Sequence, residues 1–132
     1  MADALNSMTT FTFEKLDAYI HARALVRDVY RLQHLFPKEE TYALGDQVRR
    51  AAVSITANIA EGCGRTSLRE KSRFIEIAFG SLTETYSELL TALDLGYITE
   101  EQLDTLRPQF VHVAKMLSGL RKSYSDQLNP KP

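Results

Sequence analysis

The stretch Ser54-Ile55-Thr56-Ala57-Asn58-Ile59-Ala60-Glu61-Gly62 decides how the chain is read. Placed on an α-helix, Leu44, Val48, Ala52, Ile55 and Ile59 share one apolar face. Gln47, Ala51, Ser54, Asn58, Glu61 and Arg65 recur at steps of three and four along its flank. The spacing thus predicts an amphipathic helix with a second, polar surface. No run of β-branched residues with period two competes with it anywhere in the sequence.

Upstream, Ala18, Ala22, Leu25, Val29, Leu32 and Phe36 alternate steps of four and three, which predicts a helix from Phe13 to about Leu35. Arg23, Arg27 and Arg31 line up on a face away from that seam, balanced in part by Asp17 and Asp28. Pro37 closes this helix, because its ring obstructs the preceding turn and it lacks an amide hydrogen. The second helix is expected to start near Glu39 to Thr41, whose acidic neighbours suit a helix N-terminus, and to run to about Glu61. Gly62-Cys63-Gly64 is read as its break, with glycine supplying a left-handed closing residue.

Downstream, Ser67-Leu68-Arg69-Glu70 has the form of a capping box and opens a third helix, Leu68 to about Leu95. Its seam is Ile75, Phe79, Leu82, Tyr86, Leu89 and Leu93, with a parallel line through Phe74, Ala78, Ser81 and Thr85. Gly80, mid-helix, costs ~1 kcal/mol relative to alanine and marks either close packing or a tolerated weakness. Gly96 is a stop signal, and Thr99-Glu100-Glu101-Gln102 is a second capping box. Leu103, Leu106, Phe110, Val113, Leu117, Leu120 and Tyr124 form the fourth seam, in which Pro108 is expected to cause a kink or a separate first turn. Four such helices joined by short connections imply an all-α fold, an antiparallel up-down-up-down four-helix bundle. It is expected to be one domain over residues 1–132, with 1–10 and 129–132 disordered and Phe11 and Phe13 anchoring the N-terminal end.

A net charge of −1 conceals a strong segregation along the chain. Residues 1–45 carry −1, 46–73 carry +3, 74–104 carry −7 with no Lys or Arg at all, and 105–132 carry +4. Such blocks favour self-association or steering of a charged partner, unless they simply coat solvated faces. No window approaches the ~20 apolar residues of a membrane span, and no basic-then-apolar leader precedes Phe11, so a cytoplasmic protein is expected. The lone Cys63 can form neither an internal disulfide nor a multi-thiolate metal site.

Catalytic chemistry finds no support in the residue pattern. Di-iron bundles need Glu-x-x-His pairs, yet Ala18, Arg31 and Gln109 precede His21, His34 and His112 by three. Glu84 and Glu88 share a face without imidazole partners, and Gly62-x-Gly64 lacks the strand and the Gly-Lys-Ser/Thr ending of a phosphate loop. No catalytic residue, metal site or cofactor is assigned. Arg49, Arg50, Arg65, Arg69, Lys71 and Arg73 form a basic block suited to phosphate, so RNA or DNA is a candidate partner, although Asp46, Glu61 and Glu70 can engage the same cations. Gln47, Ser54, Asn58, Glu61 and Ser81 form either a polar interface network or a rim of ordinary surface groups.

These residues resemble a known family. Phe36-Pro37, Tyr42-x-Leu44-x-x-Gln47-x-Arg49-Arg50-Ala51, Ser54-Ile55-x-x-Asn58-Ile59-Ala60-Glu61-Gly62 and Phe74-x-x-Ile77-Ala78-x-Gly80-Ser81-Leu82-x-Glu84 look like the proteins encoded in intervening sequences of bacterial large-subunit ribosomal RNA genes. The chain is also similar to the accessory variability proteins of diversity-generating retroelements. The resemblance implies a homopentameric ring of four-helix bundles without enzymatic activity. For the retroelement relatives it implies a basic surface that binds nucleic acid and a reverse transcriptase. By position it marks Asn58, Glu61, Gly62 and Ser81, with Arg49, Arg50 and Arg65 as basic neighbours. An interaction scaffold that binds no nucleic acid is the competing expectation.

Overall fold

The computed structural model describes residues 11–130, so the expectations for residues 1–10 and 131–132 lie outside the described residues. Four α-helices follow one another: α1 (Asp17–Gln33), α2 (Leu44–Cys63), α3 (Leu68–Asp94) and α4 (Glu100–Leu128). Short 3-10 turns at Thr12–Lys15 and Lys38–Glu40 precede α1 and α2, and there is no strand among the described residues. Ser54 meets Ser81 across α2 and α3, Tyr86 meets Arg107 across α3 and α4, and His21 meets His112 across α1 and α4. Gly62 approaches Phe74 while Ser54 meets Ser81, Glu76 pairs with Arg121 while Tyr86 meets Arg107, and His21 meets His112 while Leu32 shares a groove with Leu106, so contacts that advance along one helix retreat along its neighbour, as antiparallel packing requires. Helix α1 packs on α2 and α4, and α3 packs on the same two from the other side. Thus α1 and α3 are diagonal.

The core is the set of apolar stripes closing on one another. Leu25, Val29, Val48, Ile55, Ile59, Ile75, Leu89, Leu103, Val113 and Leu117 are essentially without solvent contact. Burying each such side chain contributes ~1.5–3 kcal/mol, the main term holding the bundle together. On α3 the buried line is Ile75, Ala78, Ser81, Leu82, Thr85, Leu89 and Ala92, while Phe79, Tyr86 and Leu93 of the expected seam are only half-buried. Small residues, Ala78, Ser81, Thr85 and Ala92, alternate along it with Ile75, Leu82 and Leu89, and Ser81 is where α3 meets Ser54 of α2.

Gly62 shows how close the two helices come. A Cβ at that position would lie 2.9 Å from Phe74 Cβ and 3.3 Å from the Lys71 carbonyl oxygen. The residue expected to end α2 is therefore a buried contact inside it, and the helix continues to Cys63 with Gly64 at φ −84°. Neither glycine is left-handed; among the described residues only Gly96, at φ +78°, is. That conformation suits the turn between α3 and α4.

Other boundaries also move. Helix α1 starts at Asp17, because Phe13 belongs to the preceding 3-10 turn, in which it stacks on Phe11 and packs edge-on against Tyr19 at 4.8 Å. Helix α2 starts at Leu44 rather than at Glu39 to Thr41, since Glu40 uses its carboxylate to accept from the Leu44 amide at 3.3 Å and thereby caps the helix from outside. The Glu40 carboxylate also accepts from the Tyr97 hydroxyl at 2.6 Å, joining the α1–α2 connection to the α3–α4 connection. This bond raises the Tyr97 pKa. The Thr99 and Gln102 capping box is complete, whereas Ser67 accepts from the Glu70 amide and Glu70 turns instead to Arg73.

Pro108 does not divide α4, which runs unbroken from Glu100 to Leu128. Both Pro108 and Asp104, whose carbonyl loses its amide partner, are exposed, so water can satisfy that carbonyl. Gly80 has open space where a Cβ would stand, so close packing within this chain does not explain it. Gly119, in α4, is equally open.

The two kinds of glycine give opposite expectations. Gly62→Ala should lower stability by about 1–3 kcal/mol through overpacking, and Gly119→Ala should raise it by about 0.5–1 kcal/mol. Urea unfolding of the two variants beside the wild type measures both; equal effects would contradict the close approach at Gly62.

Candidate interaction surface

Helices α2 and α3 meet along a polar line that opens to the surface. The Asn58 side-chain amide donates to the Ser54 carbonyl at 2.8 Å and to Ser54 Oγ at 2.9 Å. Ser54 Oγ lies 2.7 Å from Ser81 Oγ, one hydroxyl donating to the other across the helices. Behind it the fully buried Thr85 hydroxyl donates to the Ser81 carbonyl at 2.7 Å, so that no polar atom of this group is orphaned. Of the five residues proposed for a polar network, the structure brings together Ser54, Asn58 and Ser81. Gln47 and Glu61 are exposed on the same flank, and Glu61 pairs with Arg65.

The six basic candidates divide by rotation around their helices. Arg49 turns toward α1: it donates to the side-chain oxygen of the buried Gln33 at 2.9 Å and to the Thr41 carbonyl at 2.7 Å. Its neighbour Arg50, one residue on and about 100° around the helix, is 81% exposed and pairs with Asp46 at 2.9 Å. Arg65 pairs with Glu61 and lies over the Phe74 ring at 4.7 Å, where cation–π attraction adds to the ion pair. Lys71 donates to the Cys63 carbonyl at 3.0 Å, satisfying the end of α2. Arg73 pairs with Glu70. Arg69 is exposed and forms no ion pair among the described residues.

Two residues of this region escaped the sequence reading. Gln33 lies four residues after Val29, on the buried face, and that spacing was the available signal for a buried amide needing a partner. Glu88 was read only as sharing a helix face with Glu84, without imidazole partners. Its Oε2 has neither solvent contact nor a hydrogen-bond partner. Burial, then the charge of Glu84 and a hydrogen bond with it, push the Glu88 carboxyl up to about 7.

Among the described residues no group of three or more His, Cys, Asp or Glu side chains is placed to hold a metal ion, and no helix is long and apolar enough to cross a membrane. His21 and His112, both exposed, make a two-ring edge contact at 4.7 Å. The cavity between α3 and α4, about 370 Å³ and lined by Phe79, Tyr86, Phe110 and Val111 among others, is an open apolar groove without a reactive group.

The fold and surface define an all-α bundle with a paired-helix polar face. The chain belongs to the 23S rRNA-intervening sequence protein family, whose model matches residues 14–119. Among solved structures it is similar to a protein of unknown function from the S23 ribosomal protein family of Bacteroides thetaiotaomicron VPI-5482. The TM-score is 0.73 at 23% identity, covering 80% of this chain and 98% of that one. That likeness bears on the fold alone. No curated protein matches the chain, and no enzymatic family is indicated.

Arg49→Ala should cost about 1–3 kcal/mol, because it strands the buried Gln33 amide, whereas Arg50→Ala should stay within about 0.5 kcal/mol. Thermal or urea unfolding separates the two. Glu88 gives a pH test. Its folded pKa lies above the unfolded one, so the folded chain binds more protons between pH 4.5 and about 7 and stability falls as pH rises across that window. Glu88→Gln in the single-copy chain should therefore gain about 1 kcal/mol at pH 8, a value reduced for solvent screening, and nothing at pH 4.

Proposed function

We propose that this protein is non-enzymatic and acts as a homo-oligomeric protein–protein interaction module. The state of its charges carries the reading. Arg49 and Lys71 are held by groups of their own chain, and Arg50, Arg65 and Arg73 are ion-paired. Glu84 and Glu88, by contrast, form no ion pair among the described residues and stand three and seven residues after Ser81 on α3, close to the side that carries the half-open Ser54–Asn58–Ser81 line. A surface with unpaired carboxylates and a satisfied but accessible polar network suits a protein partner better than a polyanion. The family resemblance implies five copies in a ring.

One observation favours a second reading, nucleic-acid binding. Arg69 is free of ion pairs among the described residues and Arg50 and Arg73 are largely exposed, so phosphate could engage them by displacing Asp46 and Glu70.

Light scattering or sedimentation of the wild-type chain should give a mass of several copies; a monomer at tens of micromolar would sink the first reading. RNA or DNA binding that weakens steeply with salt and is lost in Arg50→Glu/Arg69→Glu/Arg73→Glu would instead support the second.

A further inference from the structure

The outer strip of α1 and the outer strip of α3 are built to the same spacing with opposite charge. On α1, Ile20, Arg23, Arg27 and Arg31 are all exposed and fall on one side of the helix. Among the described residues Asp28 is the one carboxylate paired with them, accepting from both Arg27 and Arg31, whose side chains remain 59% and 71% exposed. On α3, Ile77, Gly80, Glu84 and Glu88 stand at the same intervals of three, four and four. The first three are exposed, and Glu88 holds the unpartnered oxygen. Each strip thus begins with an exposed isoleucine and carries charges seven and eleven residues on, a span of roughly 16 Å at the helical rise, with Arg23 of α1 standing where α3 has Gly80.

Their placement is as informative as their chemistry. Helices α1 and α3 are diagonal, so the two strips lie on opposite sides of one molecule and cannot pair within it. Contacts that advance along α1 (His21 to Leu32) and along α3 (Glu76 to Tyr86) retreat along α4 (His112 to Leu106, and Arg121 to Arg107), so both helices run antiparallel to α4 and hence parallel to each other. A second copy, rotated about an axis along the bundle, would lay its α1 beside the first copy's α3 in parallel. Ile20 would then face Ile77, Arg27 would face Glu84 and Arg31 would face Glu88. Arg23 would fall opposite Gly80, where the absence of a side chain leaves room.

Resting on the self-association proposed above, we infer that copies of this chain join head to tail, the arginine strip of α1 docking on the Ile77–Glu88 strip of α3 of the next copy. Such a heterologous contact leaves one free strip at each end of a growing chain of copies, so it ends only when a ring closes. The contact also explains a glycine that packing within the chain does not require.

Complementary charge reversal tests the pairing. Arg23→Glu/Arg27→Glu/Arg31→Glu makes both strips acidic, and Glu84→Lys/Glu88→Lys makes both basic. Each variant alone should associate at least tenfold more weakly than the wild type, with unchanged helical circular dichroism. An equimolar mixture should recover species larger than a monomer by light scattering. Retention of the wild-type mass by either variant, or a mixture that stays monomeric, overturns the assignment of these strips while leaving self-association standing. A wild-type monomer overturns both. If the multiple substitutions unfold the chain, Arg27→Glu with Glu84→Lys carries the same comparison.

Discussion

The close approach of α2 and α3 is the constraint on which the rest depends. Gly62 has no room for a methyl group, Ser81 faces Ser54 across the contact, and the small residues Ala51 on α2 and Ala78 on α3 are buried as well. Two backbones brought this near bring their polar groups near as well, and any group left without a partner there would cost ~1–3 kcal/mol. Ser54, Asn58, Ser81 and Thr85 answer that cost with one another, using hydroxyls and an amide small enough to fit the gap. The polar line is thus a consequence of tight packing before it is anything else. It reaches the surface because Ser54 and Asn58 stand at the edge of the contact rather than at its centre.

Much of this was legible in the sequence. Periods of three and four mark all four helices, and the Thr99–Gln102 box is found as written. What the pattern misreads are residues whose role depends on a partner far along the chain. Gly62 has the composition of a stop and the function of a contact, since its meaning comes from Phe74 on another helix. Arg49 and Arg50 are the same residue type side by side, yet a rotation of one position sends the first to Gln33 and the second to solvent. Ser67 and Glu70 fit a reciprocal cap, but Arg73 competes for the carboxylate one turn later.

The candidate surface was legible only in outline. Segregation of charge, with no cation between residues 74 and 104, was plain from the sequence. That the carboxylates of this segment include a pair on the outer side of α3, diagonally across from the arginines of α1, follows only from the order in which the helices pack. Sequence periodicity tells which residues share a face; it does not tell which faces of the molecule are opposite.

The bond between Tyr97 and Glu40 has a bearing on how the chain folds. Its two residues are 57 positions apart and bracket the whole of α2 and α3. Helices α2 and α3 are joined by a connection of a few residues, so their pairing closes a short loop and carries little entropic cost, whereas the Tyr97 link closes a long one. The α2–α3 and α3–α4 hairpins, each closed by a few residues, are accordingly the contacts expected to form first, with the Tyr97–Glu40 bond expected to follow once the neighbouring helices have arrived. A contact formed after the rate-limiting step slows unfolding rather than hastening folding, so this one hydroxyl is expected to bear on the lifetime of the folded bundle more than on the speed of its formation.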